Sequence, residues 1–420
     1  MQIKWKIYIW NHYKIYYFNM KIIYYSSHPN LRSYSPSGYG THMREMIAAF
    51  EESGHTVVPV IMGDRSTSNV EDAVGGRISV RNVLRTIAPA YIWESLRDYN
   101  LIRQDTSFAG YLEKKAKEIQ PDLIYERANY LQVSGVRTAE RYGIPHVLEV
   151  NSPYVEERKL LAAKTVYEKN ALQAEREQLV KTGIVAVVST ALKNYFVDKH
   201  GIDPEKIVVT PNAINERKVA TDPDKVEKLR DQYELRNKRV VGFVGTLSKW
   251  HGVETLIRAF GNIRQSFDDV RLLIVGDGSK RSELEKLAHT IGVAGDTVFT
   301  GYVPHGEIYN HIELFDIAVD PNAHWYMSPV KLFEYGAMSK AVIAPQTEPV
   351  KEIIDHLNSG YIAEPGVDSL YAAIQILLDN KNLRKTLGEN LKFKILNNHT
   401  WKHNVNCVLK ALQNTYEKIY

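Results

Sequence analysis

The sequence predicts an α/β protein built from two consecutive doubly wound parallel-sheet units, and three observations carry that expectation. Short β-rich runs alternate with helix-length amphipathic stretches along nearly the whole chain, the pattern of parallel sheets covered by helices. The alternation runs once to about residue 210 and restarts after Thr210-Pro211-Asn212-Ala213. The chain has 420 residues, 44% hydrophobic and 24% charged, which suits two ordinary domains with full cores. Composition also excludes several functions. One cysteine, Cys407, permits neither an internal disulfide nor a cysteine-based zinc cluster and fits a reducing compartment. Lys and Arg number 53 against 49 Asp and Glu, a net +4 too small for a dedicated nucleic-acid binder. No stretch approaches the ~18 apolar residues of a membrane span. The expected location is cytoplasmic, with peripheral contact at the inner membrane face as the alternative.

Residues 1–19 stand apart. They hold Trp5, Tyr8, Trp10, Tyr13, Tyr16, Tyr17 and Phe18 with three lysines and no acid. They lack the apolar core and small-residue cleavage site of a secretory signal. An unpacked extension is the plain expectation; an interfacial anchor is the other, because aromatics and lysines favour the headgroup zone. Met20 opens the first domain, residues 20–210, with strands expected at 21–25, 56–61, 122–125, 145–150, 184–188 and 206–209. Helices are expected at 40–53, 108–119, 129–142, 155–181 and 190–200. Residues 64–107 fit the rhythm poorly and read as an excursion with a helix near Ala90–Asp98. Over 76–118, Arg81, Arg85, Arg97 and Arg103 lie among Tyr91, Trp93 and Leu96. The plain expectation is solvated charge on helices packing through Ile87, Ile92 and Leu96; a basic surface for anionic lipid is the alternative.

The second domain, residues 211–399, is expected to have strands at 240–244, 270–275, 297–300, 317–319, 341–344 and 361–363. Helices are expected near 252–266, 280–291, 305–314, 329–338 and 349–357. The tail after 367 reads as helical, and residues 400–420 as a last helix crossing back to the first domain. Open parallel sheets bind ligands at the carboxyl ends of their strands, so two such units imply a shared cleft.

Three segments could carry chemistry. Ser35-Pro-Ser-Gly-Tyr-Gly-Thr41 places Gly38 and Gly40 between a first strand and a helix, where amides are free for an anion. It lacks the third glycine of a dinucleotide fingerprint, and Asp64 falls late for the acid that would close the second strand, which disfavours hydride chemistry. Gly245-Thr-Leu-Ser-Lys-Trp-His-Gly252 sets Lys249 and His251 before a helix start, positioned to neutralise a diphosphate. Tyr326-Met-Ser-Pro-Val-Lys-Leu-Phe-Glu-Tyr-Gly-Ala-Met338 is the most specific. Pro329 reads as the first helical residue, leaving free N–H groups at Val330 and Lys331. Glu334, one turn in among Leu332, Phe333 and Ala337, could accept both vicinal hydroxyls of a ribose. Asp222-Pro-Asp224 has the letters of a metal site, but Asp224 with Glu227 reads as a capping box, and no metal is expected.

These segments, with Val275-Gly-Asp-Gly278, Phe299-Thr-Gly-Tyr-Val-Pro304, Leu148-Glu-Val-Asn-Ser-Pro153 and Pro211-Asn-Ala-Ile214, resemble a retaining glycosyltransferase of family 4 with the GT-B architecture of two Rossmann-like domains. The likeness runs in order over residues 20–415. It implies a nucleotide-diphosphate sugar as donor substrate, no cofactor, and a glycan or lipid-linked hydroxyl acceptor, in polysaccharide or glycoconjugate assembly. It implies that Glu334 holds the ribose as the second of two signature glutamates; the first falls on Tyr326. The Arg and Lys usual beside the diphosphate fall on Thr246 and His251, with Lys249 and Lys331 as substitutes by chemistry. The first-domain histidine falls on Asn151, next to Glu149, and backbone near Val303 is expected at the nucleobase. Two alternatives share the architecture: a sugar-nucleotide 2-epimerase, whose proton-shuttling constellation finds no place here, and a non-catalytic sugar-nucleotide-binding subunit.

Overall fold

A computed structural model of the chain describes residues 19–35, 37–65 and 89–417. The extension before Asn19, the arginines at 81 and 85, and Ile87 lie outside the described residues. Two compact units emerge, the first containing residues up to Val188, Leu192–Thr210 and those from Val405 on, the second Ser189–Ala191 and Pro211–Asn404.

The first unit is a six-stranded parallel sheet of order β2-β1-β3-β4-β5-β6. Its strands are β1 (Lys21–Ser26), β2 (Thr56–Ile61), β3 (Leu123–Arg127), β4 (His146–Val150), β5 (Ile184–Val187) and β6 (Ile207–Val209). Every residue of β3, β4 and β5 is buried, as expected where helices cover both faces. The intervening helices are α1 (Gly38–Glu52), α2 (Ala90–Ile119), α3 (Ser134–Tyr142), α4 (Tyr154–Leu161), α5 (Glu168–Lys181) and α6 (Thr190–His200).

The second unit repeats the plan in the order β12-β11-β10-β7-β8-β9. Its strands are β7 (Arg239–Val244), β8 (Val270–Val275), β9 (Thr297–Phe299), β10 (Ile317–Val319), β11 (Ala341–Pro345) and β12 (Tyr361–Ala363). Alternate residues of each strand feed opposite faces, so Val241, Phe243, Leu272 and Ile274 join one core, with Phe260 and Ile374. Val240, Val244, Leu273 and Val275 join the other, with Phe333, Tyr335 and Ile395. The helices are α7 (Pro223–Gln232), α8 (Val253–Ile263), α9 (Arg281–Thr290), α10 (Ile308–Ile312), α11 (Val330–Ala337), α12 (Glu348–Ile353), α13 (Val367–Asp379), α14 (Lys381–Asn398) and α15 (Trp401–Glu417). Both sheets are doubly wound α/β.

Four expectations change. The helix expected over 155–181 is two, because Ala162 is extended at φ −140° and ψ 165° and the chain re-enters helix only at Glu168. The helices expected near 90–98 and 108–119 are one 30-residue helix, α2. Ile92 and Leu96 do not pack; they are exposed on it with Tyr91 and Tyr99, while Asp98, Leu101 and Leu112 face inward. The cap of α7 is Asp222 rather than Asp224. Its carboxylate accepts from the amides of Asp224 (3.1 Å) and Lys225 (3.3 Å), with Pro223 at the first helical position.

Candidate functional site

In the second sheet the strand order reverses between β7 and β10, the switch point where open α/β sheets take ligands beyond their carboxyl ends. The three loops leaving β7, β8 and β9 interlock there. Gly276, at φ +136°, donates its amide to the Gly301 carbonyl at 3.1 Å. A Cβ on Gly276 would stand 2.0 Å from the carbonyl oxygen of Gly245. Gly245 itself has φ +150°, a backbone conformation that favours glycine.

Three polar side chains converge at this point. Lys331, on the first turn of α11, reaches back so that its Nζ lies 2.9 Å from Oδ1 of Asp320, the residue after β10. The same ammonium is 3.3 Å from Nδ1 of His251, in the one-turn helix Lys249–His251 after β7. It also lies 5.1 Å from the centroid of the Phe243 ring. Burial first, then the Lys331 charge, pulls His251 down to about 3. Its imidazole is therefore neutral at pH 7, with Nδ1 accepting from lysine and Nε2–H left as a donor. Asp320 is 1% exposed and its Oδ2 has no hydrogen-bond partner among the described residues. Burial pushes that carboxyl up, opposed by the ammonium it faces.

Lys331 and Glu334 are three residues apart, hence on one face of α11. The proline is the cap residue rather than the first helical one, with φ −72° and ψ 117°, and the helix begins at Val330. Extended proline geometry stops the helix from continuing backward, so the first amides of α11 are open ends. Glu334 is 6% exposed among Leu332, Phe333 and Ala337, all buried. Its Oε1 lies 3.1 Å from Nε2 of the half-exposed His305, in the turn after β9. Val303, half-buried in that loop, packs on the second core. Lys249 is exposed, whereas Tyr326 is buried and stacks on His324 with ring centroids 5.7 Å apart.

In the first sheet the order reverses between β1 and β3. Here Glu149, near the end of β4, is 2% exposed. Its carboxylate accepts from Arg127 Nη1 (2.6 Å), Asn151 Nδ2 (2.6 Å) and the Tyr125 hydroxyl (2.9 Å). His42 Nε2, from α1, lies 3.0 Å away. Burial would raise the Glu149 carboxyl, but the charges of His42 and Arg127 with these hydrogen bonds hold it down to about 2. A carboxylate so saturated is an anchor for its donors, not a proton carrier at neutral pH. Asn151 is thereby oriented through Glu149. Gly40 is required in the first turn of α1, since a Cβ there would meet the Ser35 carbonyl oxygen at 2.2 Å; one on Gly38 would meet nothing within 4 Å. Asp64 is occupied in holding the loop after β1, accepting from the Ser33 amide (2.8 Å) and hydroxyl (2.6 Å).

The structure thus gathers Lys331 and His251 in one cluster, Glu334 on the same helix face, and Glu149 with Asn151 in another cluster. Sequence reasoning missed Asp320, His305, His42 and Arg127. The available signal was a charged residue ending an apolar strand, as in Ile317-Ala-Val-Asp320 and Leu123-Ile-Tyr-Glu-Arg127.

Both halves match known families. Residues 36–218 match the model described as Glycosyltransferase Family 4, and residues 225–393 that described as Glycosyl transferases group 1. Together the matches indicate a GT-B glycosyltransferase of the family-4 kind. More particularly, the chain is similar to an alpha-D-kanosaminyltransferase of Streptomyces kanamyceticus, 26% identical over 59% of this chain and 65% of that protein. It is also similar to a GDP-mannose-dependent alpha-(1-6)-phosphatidylinositol monomannoside mannosyltransferase of Mycobacterium tuberculosis, 28% identical over 49% of this chain and 55% of that one. The chain therefore spans less than two thirds of these relatives' length. Among solved structures, Anabaena HepE in complex with UDP shares the fold with a TM-score of 0.71 at 19% identity, over 94% of this chain and 100% of that one. No helix among the described residues is long and apolar enough to cross a membrane.

Proposed function

We propose that the protein transfers a sugar from a nucleotide diphosphate to a hydroxyl acceptor with retention of anomeric configuration and without a metal. The observation that carries this is the α11 face. A carboxylate, Glu334, stands one turn from a buried cation, Lys331, at the switch point of a Rossmann-like sheet. On this reading Glu334 holds the ribose hydroxyls and the loop at Val303 meets the nucleobase. Lys331, the Nε2–H of His251, the exposed Lys249 and the open amides of α11 meet the diphosphate. Negative charge grows on the leaving diphosphate, so these groups act where the transition state needs them. The anomeric C–O bond to phosphate breaks as the bond to the acceptor oxygen forms. The acceptor proton passes to the leaving phosphate oxygen on the same face, so no dedicated base is required. Nucleotide-sugar donors and glycolipid acceptors in the names of relatives support the donor and acceptor classes.

Tyr326 and Asn151 stand where the resembled pattern has a glutamate and a histidine, which keeps a binding subunit as the second reading. The exposed Tyr91, Ile92, Leu96 and Tyr99 of α2 support peripheral lipid contact, checked by vesicle sedimentation. A panel of nucleotide sugars, read by mass spectrometry, tests the activity. Acceptor-dependent nucleotide release supports transfer. An isomerised sugar would instead mean epimerisation, and binding without turnover a subunit.

A further inference from the structure

The chain leaves a helix where its residues favour one. Leu160-Leu161-Ala162-Ala163-Lys164 are strong helix formers, yet α4 stops at Leu161. A local rule broken without a local cause is a mark of a functional position. The residues of this break, with Tyr130, Arg158 and Lys159, wall a cavity of about 320 Å³ inside the first unit. Small-molecule sites run from ~300 to 1,000 Å³. Its place in the sheet is set by topology. The carboxyl end of α5 leads directly into the start of β5, so its other end, at Glu168, lies toward the carboxyl edge where such sheets take ligands.

The wall is rich in donors. Arg158, Lys159, Lys164 and Thr165 line it together with one acid, Glu168. Arg158 Nη2 is engaged by Glu94 and, at 3.4 Å, by Asp98. Its Nε and Nη1 are buried and meet no acceptor among the described residues. A buried guanidinium N–H without a protein acceptor is uncommon and calls for an explanation. Lys159 meets Glu156 only at 3.6 Å, and the exposed Lys164 has no carboxylate partner among the described residues. Arg158, Lys159 and Lys164 bring three cations to one cavity, a charge that suits a phosphate better than a singly charged carboxylate. The Tyr130 ring, 5.8 Å from Arg158 Cζ, supplies a flat wall for the ring that carries the phosphate.

We propose that this cavity is a subsite for a phosphate-bearing acceptor. The proposal rests on the transferase reading only in naming the ligand an acceptor; binding is assayed without donor, so its failure leaves the donor reading untouched. Calorimetric titration of the full chain with glucose 6-phosphate and with glucose is the test, beside vesicles of phosphatidylinositol and of phosphatidylcholine. The comparison variant is Lys159→Ala with Lys164→Ala, two exposed changes that spare the Arg158 ion pairs. The expected result is binding of glucose 6-phosphate at least tenfold tighter than glucose, weakened at least tenfold in the double variant, with nucleoside diphosphate affinity unchanged. Preference for phosphatidylinositol vesicles, lost in the double variant, supports the same site with a lipid headgroup as the phosphate source. Equal affinity for sugar and sugar phosphate, with no vesicle preference, overturns the proposal. So does phosphate binding that survives in the double variant but disappears in Lys331→Met.

Discussion

The Lys331–Asp320 pair allows a quantitative test of how the second unit holds its cation. At 2.9 Å, with an effective dielectric constant of about 20, two unit charges attract by roughly 6 kcal/mol. The desolvation of a carboxylate that is 1% exposed offsets most of that, so the pair contributes little net stability, yet breaking it is expensive. Lys331→Met leaves Asp320 buried without a counter-charge and is expected to cost ~3–5 kcal/mol. Asp320→Asn keeps an acceptor oxygen for the ammonium and is expected to cost less. The double variant removes both charges, so its cost falls short of the sum by about 2 kcal/mol. Urea denaturation followed by tryptophan fluorescence reports on the site, because Trp250 and Trp325 lie in the adjoining segments. Costs that add within ~0.5 kcal/mol would show that the two groups do not act as a pair and would refute the geometry.

Three further outcomes are expected. Burial lifts the Asp105 carboxyl from 3.8 to about 6, while it accepts from the amides of Val133 (2.8 Å) and Ser134 (3.3 Å) at the start of α3. A raised carboxyl gives stability that is complete below its unfolded pKa and is lost as pH rises through 6, a change of ~3 kcal/mol. Asp105→Asn keeps an acceptor oxygen and should flatten the stability–pH curve between pH 4 and 6; an unchanged curve contradicts the assignment. Glu149 behaves oppositely, being held at about 2 against an ordinary 4.5. Its contribution, ~3 kcal/mol, is present above pH 4.5 and disappears as pH falls through 2. Glu149→Gln should therefore be destabilised at pH 7 and converge on the parent near pH 2 in the same melts. Gly276→Ala meets both a forbidden φ of +136° and a carbonyl at 2.0 Å, so nucleotide affinity should fall at least tenfold as the β7 and β8 loops part.

Much of the fold was legible because parallel strands buried on both faces read as unbroken apolar runs, as in Val240–Val244 and Leu272–Val275. What was not legible is tertiary. The break between α4 and α5 begins at the helix-favouring Ala162 and Ala163, and the β-branched Thr165 and Val166 that follow are a weak local cue. The exposure of Ile92 and Leu96 likewise runs against their apolar character, and periodicity alone assigned them to packing. Glu334 and Lys331 were legible because a helix start and a three-residue spacing are local facts. Asp320 and His305 were not, because they reach α11 from the segments after β10 and β9, 11 and 29 residues away in sequence. Glu149 was visible as a residue but not as an anchor. Its donors come from α1, β3 and the turn after β4, and only the register of the sheet brings them together.

Ribose recognition by Glu334 is tested most directly by equilibrium binding of a nucleoside diphosphate and its 2′-deoxy form to the parent and to Glu334→Gln. UDP, GDP and ADP are compared first to choose the base. The parent should favour the ribonucleotide by at least tenfold, about 1.4 kcal/mol, and Glu334→Gln should lose both affinity and most of that preference. Undiminished affinity with the same preference in Glu334→Gln would contradict the account.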